Sequence, residues 1–143
     1  SPAGGIGLIS CDAAGNLNFR KSPEGFSVPR FDGACALWPL FDALARPGEM
    51  LLHQVAQSQG RNTDDVPRFA ALSFGTQDQP VQLGMPVQRQ AYMLLMPKDI
   101  LSNQITPAPV VDTGASCRIC LQSNCPARRE AALLSRQKAA DGF

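Results

Sequence analysis

The segments MLLHQV at residues 50–55 and VPRFAALSF at residues 66–74 decide the fold that this sequence predicts. Each is a short, mainly apolar run of strand length, and the polar turn residues GRNTDD at residues 60–65 separate them. A third run of the same kind, AYMLLM, occupies residues 91–96. Because no regular alternation of strands and helices is present, these runs predict an antiparallel sheet rather than a parallel one.

The residues before these runs predict a hairpin, a loop and a helix. Residues 6–10 and 17–20 have strand character and flank the turn residues DAAGN, which predicts a β-hairpin. Residues 21–33 contain two prolines and two glycines and predict a loop. Over residues 37–45 apolar side chains recur at helical spacing before the stop signal Arg46-Pro47-Gly48. A short amphipathic helix is therefore expected there.

The C-terminal part completes the predicted fold class. Residues 97–116 carry three prolines and are expected to be mostly irregular. Residues 126–139 are rich in helix formers and start with a proline, which suits the first turn of a helix. We therefore predict an α+β fold, an antiparallel sheet with a few short helices and a C-terminal cysteine knuckle followed by a helix. Residues 1–5 are expected to be a linker or tag remnant, and residues 6–143 a single domain.

Composition excludes several classes of protein. The chain has 143 residues, 44% of them hydrophobic, with 13 Lys and Arg against 12 Asp and Glu. This apolar fraction with a net charge of +1 is typical of a folded domain and excludes intrinsic disorder. A balanced charge does not favour binding of DNA or an anionic membrane by this chain alone. No apolar run approaches the length of a membrane helix and no signal peptide is recognisable, so a cytoplasmic location is expected.

Three closely spaced cysteines form the strongest local motif. Cys117, Cys120 and Cys125 lie in the sequence CRICLQSNC with C-x₂-C-x₄-C spacing. Thiols at this spacing in a reducing compartment indicate a metal site more readily than disulfides. A closed structural zinc site needs a fourth ligand, and Cys35 is the preferred candidate because it lies in a glycine-containing turn before the predicted helix.

Other interpretations of these residues stay open. The same four thiols are also compatible with an iron–sulfur cluster, and a further alternative is that the cysteines are free or form disulfides without a metal. Cys11 and the single His53 are alternative fourth ligands, although Cys11 is expected to be a small buried side chain and His53 a surface or core-edge side chain on a strand. Neither His53 nor Cys35 has a convincing catalytic partner in the sequence, so the chain is not expected to be an enzyme.

With the motif FDGACALW at residues 31–38, the cysteine motif and Arg128 in view, the chain resembles the C-terminal domain of the bacterial short-chain fatty acyl-CoA regulators. The resemblance implies a transcription factor whose N-terminal helix-turn-helix, absent from this chain, binds DNA. It also implies that this domain is the sensor, with a short-chain acyl-CoA as effector.

The chemistry of an acyl-CoA suggests which side chains would bind it. Its apolar arm requires an apolar slot, and its phosphates require basic groups at the mouth of that slot. Trp38 and Tyr92 are candidate walls, and Arg118 and Arg128 are candidate phosphate ligands. The alternative is a zinc-stapled dimerisation or protein-interaction module without a small ligand, and a homodimer is compatible with either interpretation.

Overall fold

The computed structural model describes residues 5–30, 33–58, 66–78, 83–101, 108–116 and 125–126. Within these residues the chain forms one six-stranded sheet in the order β2-β1-β5-β4-β3-β6. The strands are β1 (Gly7–Asp12), β2 (Leu17–Lys21), β3 (Met50–Ala56), β4 (Arg68–Asp78), β5 (Gln88–Pro97) and β6 (Val110–Asp112). One α-helix, α1 (Pro39–Ala45), and a 3₁₀ helix, Lys98–Leu101, complete the described elements.

The predicted hairpin and the three central strands are confirmed, but the paired strands β4 and β5 are longer than expected. Strands β4 and β5 pair without interruption from Phe69 opposite Pro97 to Asp78 opposite Gln88. The sequence prediction ends β4 at Phe74 because the residues beyond it are polar. Strand pairing joins backbone groups, so it continues past the point at which apolar side chains end.

The prediction of an all-antiparallel sheet is wrong at one edge. Strand β6 pairs in parallel with β3, so the sheet is mixed. The sequence predicts residues 97–116 to be mostly irregular, because a three-residue strand is too short to show a periodic pattern. The β6 segment is held at both ends, because the Gln54 amide donates to the Pro109 carbonyl at 2.9 Å and the Thr113 amide to the Ala56 carbonyl at 2.8 Å.

Helix α1 begins two residues later than predicted because Pro39 occupies its first turn. Proline suits that position and keeps the preceding residue extended, as the φ of −60° and ψ of 135° at Trp38 show. The helix lies directly over β4 at Gly75, where a side chain of even one carbon would clash with the Ala43 carbonyl oxygen. Only a glycine permits this close approach.

Helix α1 and the loop before it cover one face of the sheet and bury the main core there. The fully buried side chains Ile9, Cys11, Val55, Met93 and Leu95 come from β1, β3 and β5 and share this face with Ala71 and Ala91. Trp38 and Leu40 pack onto them from the helix side. We call the face that α1 packs on the covered face.

Parts of the prediction fall outside the described residues. These parts are Phe31, the cysteine knuckle up to residue 124, and the C-terminal helix beyond Pro126. In the portion of the chain that the structure covers, no helix is long and apolar enough to cross a membrane.

Candidate functional site

Cys35 is buried in the turn that leads into α1, where it holds a distant segment of the chain. Its amide donates a hydrogen bond to the Ala115 carbonyl at 2.9 Å. Its sulfur accepts one from the Gly114 amide at 3.5 Å. The chain therefore passes Cys35 two residues before it reaches Cys117.

Several further contacts fix this segment, residues 113–116, against the sheet and the helix. The Trp38 indole nitrogen donates to the Gly114 carbonyl at 2.7 Å, and the Gln57 side-chain amide donates to the same oxygen at 3.3 Å. The Thr113 hydroxyl donates to the Ala56 carbonyl at 3.1 Å. Thr113, Ala115 and Ser116 are all buried. The approach to the cysteine motif is thus a fixed part of the fold.

Only one of the other three predicted metal ligands lies among the described residues. Cys117 and Cys120 lie outside the described residues, whereas Cys125 is described and half-buried. Among the described residues there is no group of three or more His, Cys, Asp or Glu side chains arranged to hold a metal. The four-cysteine zinc site therefore stays a prediction.

The two alternative fourth ligands lie on strands of the covered face. Cys11 on β1 is fully buried, and burial raises the pKa of its thiol to about 11. A hydrogen bond with the Ala91 backbone opposes this pKa shift, and the nearby Asp12 carboxylate adds to it. In the absence of a metal, such a thiol stays protonated near neutral pH. His53 is half-buried on β3.

A cavity of about 390 Å³ lies beside α1, next to the Cys35 turn. Its lining residues are Ala36, Leu37, Trp38, Pro39, Phe41, Asp42, Ala45, His53 and Val111. The walls are mostly apolar, and the rings of Trp38 and Phe41 stack with centroids 6.4 Å apart. We call it the α1 cavity. Its size falls in the range of small-molecule sites.

Two buried polar atoms lie under α1 without a hydrogen-bond partner among the described residues, His53 Nδ1 and Ser73 Oγ. His53 pairs with Ala71 across the β3–β4 ladder and Ser73 pairs with Leu51, so the two polar side chains are diagonal neighbours on the covered face. A buried polar atom without a partner carries a desolvation cost. No pattern in the sequence marks Ser73 as a candidate site residue.

The predicted ligand-binding residues do not all lie together. Trp38 lines the α1 cavity, whereas Tyr92 lies between the core residues Ala91 and Met93 and so projects from the opposite face of the sheet. Arg118 and Arg128 lie outside the described residues. Two side chains on opposite faces of one sheet cannot line the same cavity.

A second cavity, of about 420 Å³, lies where β4 begins and β5 ends and has a different character. The basic side chains of Arg68 and Lys98 in its lining are accompanied by the acidic side chains of Glu24 and Asp99. Balanced charges of this kind do not select a polyanion such as a nucleotide phosphate. The α1 cavity is therefore the better candidate for an acyl-bearing ligand.

A family model described as "Short-chain fatty acyl coenzyme A regulator, C-terminal" matches residues 5–141. The HTH-type transcriptional regulator RamB of Mycobacterium tuberculosis is 33% identical to this chain over 133 residues, covering 88% of the chain and 27% of RamB. PrpR, an HTH-type transcriptional regulator of the same species, is 31% identical over 127 residues, covering 85% of the chain and 25% of PrpR.

A third relative, a propionyl-CoA carboxylase regulator of Cereibacter sphaeroides, is 32% identical over 130 residues, covering 85% of the chain and 26% of that protein. The chain thus spans about a quarter of the length of these relatives. A solved structure of a Mycobacterium tuberculosis transcriptional regulator has a similar fold, with a TM-score of 0.70 and 24% identity over 90% of this chain and 40% of that one.

Proposed function

Given that the chain belongs to the family of short-chain fatty acyl coenzyme A regulators and matches its C-terminal domain, we propose that it is the effector-sensing domain of a bacterial transcriptional regulator. Its effector is a short-chain acyl-CoA. DNA is bound by a helix-turn-helix in another part of the full regulator, as the names of RamB and PrpR suggest. The sensing domain supplies the change in conformation that depends on the ligand.

One observation carries this proposal: Trp38 belongs both to the α1 cavity and to the anchor of the cysteine motif. Trp38 is one of the residues that line the cavity, and its indole nitrogen donates to Gly114, three residues before Cys117. A ligand that displaces or tightens Trp38 would therefore act directly on the segment that enters the cysteine motif. This gives an effector a physical route to the C-terminal part of the domain.

The α1 cavity suits the acyl end of the effector. A short acyl chain with part of the pantetheine arm is mainly apolar and carries amide and thioester groups that accept hydrogen bonds. Leu37, Trp38 and Phe41 provide apolar contact, and His53 provides a buried nitrogen in need of a partner. We propose Arg118 and Arg128 as ligands of the phosphates. Tyr92 is left out of this site because it lies on the other face.

Zinc is proposed as a structural ion held by Cys35, Cys117, Cys120 and Cys125. Support comes from the position of Cys35 beside residues 114–115 and from the amide of Gly114, which donates to its sulfur as amides do around bound thiolates. Bound zinc would fasten the C-terminal part of the domain to the α1 turn and so contribute to folding. The same residues would hold an iron–sulfur cluster in the alternative interpretation.

Thermal unfolding in the presence of acetyl-, propionyl- and butyryl-CoA, with free CoA as reference, tests the effector proposal. A ligand at 100 times its Kd adds about 2.7 kcal/mol to the free energy of unfolding. For a chain of this size the expected rise in Tm is about 5–10 °C for the preferred acyl-CoA. Free CoA is expected to give a smaller rise because it lacks the acyl group.

A matched pair of variants locates the binding site. Leu37→Trp fills the α1 cavity from a position that is 37% exposed, and it should abolish the rise in Tm. Val87→Trp introduces the same residue at a position that is 38% exposed and does not line the cavity, and it should preserve the rise. A flat response of the parent chain to every acyl-CoA refutes the sensor proposal, and a full response of Leu37→Trp refutes the site.

Elemental analysis of the purified chain tests the metal proposal. We expect one zinc per chain, lost in Cys35→Ala and in Cys117→Ala, but retained in Cys11→Ala, whose thiol is buried elsewhere. Iron and sulfide in place of zinc would establish the cluster alternative. A chain without metal, or Cys35→Ala with full metal content, would refute the four-cysteine site.

A further inference from the structure

The side of α1 that lines the α1 cavity carries one carboxylate. Trp38, Asp42 and Ala45 all line the cavity, and their spacing places them about one helical turn apart on the same side of the helix. His53 of β3 and Val111 of β6 line it from the sheet. Among the described residues in this lining, Asp42 and His53 are the only titratable ones, and none is a lysine or an arginine.

The ion pair that Asp42 forms balances its charge only in part. Arg46 Nε lies 3.6 Å from Asp42 Oδ1, and Arg46 Nη1 lies 3.8 Å from Glu49 Oε2. One guanidinium thus serves two carboxylates, which leaves a net charge of −1 on the three side chains. All three are about half exposed, and exposed ion pairs are weak. The negative charge of Asp42 therefore still acts on whatever enters the cavity.

A fixed carboxylate in a mainly apolar cavity discriminates between acyl groups by their charge. An uncharged acyl chain contacts apolar walls such as Leu37 and Phe41 and has no charge for Asp42 to repel. A malonyl or succinyl group ends in a second carboxylate, which would lose its hydration against those walls and lie near a like charge. Both effects weaken the binding of the charged acyl group alone.

We propose that Asp42 is a specificity-determining residue of the α1 cavity, which excludes acyl groups that carry a free carboxylate. The inference rests on the proposed function and narrows it, because the effector is then the thioester of an uncharged monocarboxylic acid. Selection works here through repulsion of the wrong ligand, in addition to attraction of the right one. The same charge keeps the nucleotide phosphates away from this end of the cavity.

Isothermal titration calorimetry with isovaleryl-CoA and malonyl-CoA tests the inference. The two acyl groups have the same size and branching and differ in charge, and the CoA part is common to both. The ratio of their Kd values therefore reports on the acyl group alone. The parent chain should bind malonyl-CoA about 100-fold more weakly than isovaleryl-CoA, since a buried carboxylate and a like-charge contact each cost about a factor of ten.

A matched pair of variants assigns the discrimination to one carboxylate. Asp42→Asn should lower the Kd ratio about tenfold, because the malonyl carboxylate no longer meets a like charge. Glu49→Gln removes the other carboxylate beside Arg46, which does not line the cavity, and should change the ratio by less than about twofold. Equal effects of the two variants would assign the discrimination to the overall charge near Arg46 and overturn the role of Asp42.

Salt dependence is a second measurement that needs no variant. At 1 M salt the Debye length falls to about 3 Å, so the Kd ratio of the parent chain should narrow, and it should narrow less in Asp42→Asn. Circular dichroism verifies the fold of each variant, and the salt series on the parent chain decides the matter if Asp42→Asn does not fold. A ratio that is independent of salt would overturn the inference.

The outcomes separate this inference from the proposed function. Kd values for the two thioesters that differ by less than about threefold overturn the role of Asp42 and leave the sensor proposal standing. A preference for malonyl-CoA also overturns it, and would assign His53 as the partner of the second carboxylate. A chain that binds neither thioester refutes the proposed function and this inference with it.

Discussion

The two faces of the sheet are made from the same strands but have different surroundings. On β4, Phe69, Ala71 and Ser73 contribute to the covered face, whereas Ala70, Leu72 and Phe74 point the other way. The run FAALSF does not alternate between apolar and polar residues, and such runs are typical of strands buried on both sides. The one α-helix among the described residues, α1, lies on the covered face. The composition of this strand is therefore that of a strand buried on its second side as well.

The largest expected effect is on the covered face, in Trp38→Ala. The indole is 1% exposed, packs against the ring of Phe26 with centroids 5.3 Å apart, and donates to Gly114. Its removal should lower the free energy of unfolding by about 3–5 kcal/mol, measured by urea denaturation. Phe74→Ala on the opposite face of the sheet, where the ring is 37% exposed, should cost only about 1–2 kcal/mol. Similar losses from the two variants would contradict the contrast between the faces.

Gly75→Ala tests how closely α1 lies on the covered face. The added Cβ would clash with the backbone oxygen of Ala43, and a backbone atom cannot move aside as a flexible side chain does. We expect a loss of about 3 kcal/mol in the free energy of unfolding. Gly84→Ala is the control for helix contact, because open space surrounds Gly84 although its positive φ adds some strain. A smaller loss at Gly75 than at Gly84 would mean that the helix is not seated on β4.

The covered face should also make stability sensitive to alkaline pH through Cys11. Its thiol has an ordinary pKa of 9.0 and a folded pKa of about 11, raised mainly by burial. Below pH 9 both states are protonated and stability is unaffected, whereas between pH 9 and 11 the unfolded state ionises first and stability falls by up to about 2 kcal/mol. Denaturation across this range should show a shallower decline for Cys11→Ala. If the stability of the parent chain and of Cys11→Ala declined in parallel with pH, the result would contradict the burial of the Cys11 thiol.

The smallest expected effect is that of Ser73→Ala, beneath α1. The hydroxyl is buried and has no partner among the described residues, so removing it abolishes a desolvation cost and leaves almost no cavity. We expect the free energy of unfolding to change by less than about 1 kcal/mol, in the stabilising direction. A clear destabilisation would reveal a hydrogen-bond partner for Ser73. Ser10→Ala, which removes a hydroxyl bonded to Asn18, is the comparison.

Parts of the candidate site are visible in the sequence and parts are not. The sequence points to Cys35 through its glycine-containing turn, and to Trp38 through its large apolar ring. The α1 cavity and the buried His53 Nδ1, which has no partner among the described residues, cannot be predicted from the sequence, because they depend on which strands lie beside the helix. His53 is two residues away from both Leu51 and Val55, so the three side chains lie on the same face of the strand. This spacing is the sequence signal that could have placed the histidine toward the core. Trp38 and Tyr92 both have large aromatic rings, but Tyr92 projects from the face of β5 that is turned away from Trp38.

The amino-acid sequence alone determined the elements with strong local signals: the hairpin, the central strands, the short amphipathic helix and the cysteine spacing, together with the family resemblance. These signals are local because turn residues, apolar runs and capping act within a few positions along the chain. Only the tertiary structure decided the strand order, the parallel β6 edge, the contact between Cys35 and residues 114–115, and the existence of two unlike faces. Those features come from residues far apart in sequence, whose meeting depends on backbone pairing and packing rather than on side-chain pattern.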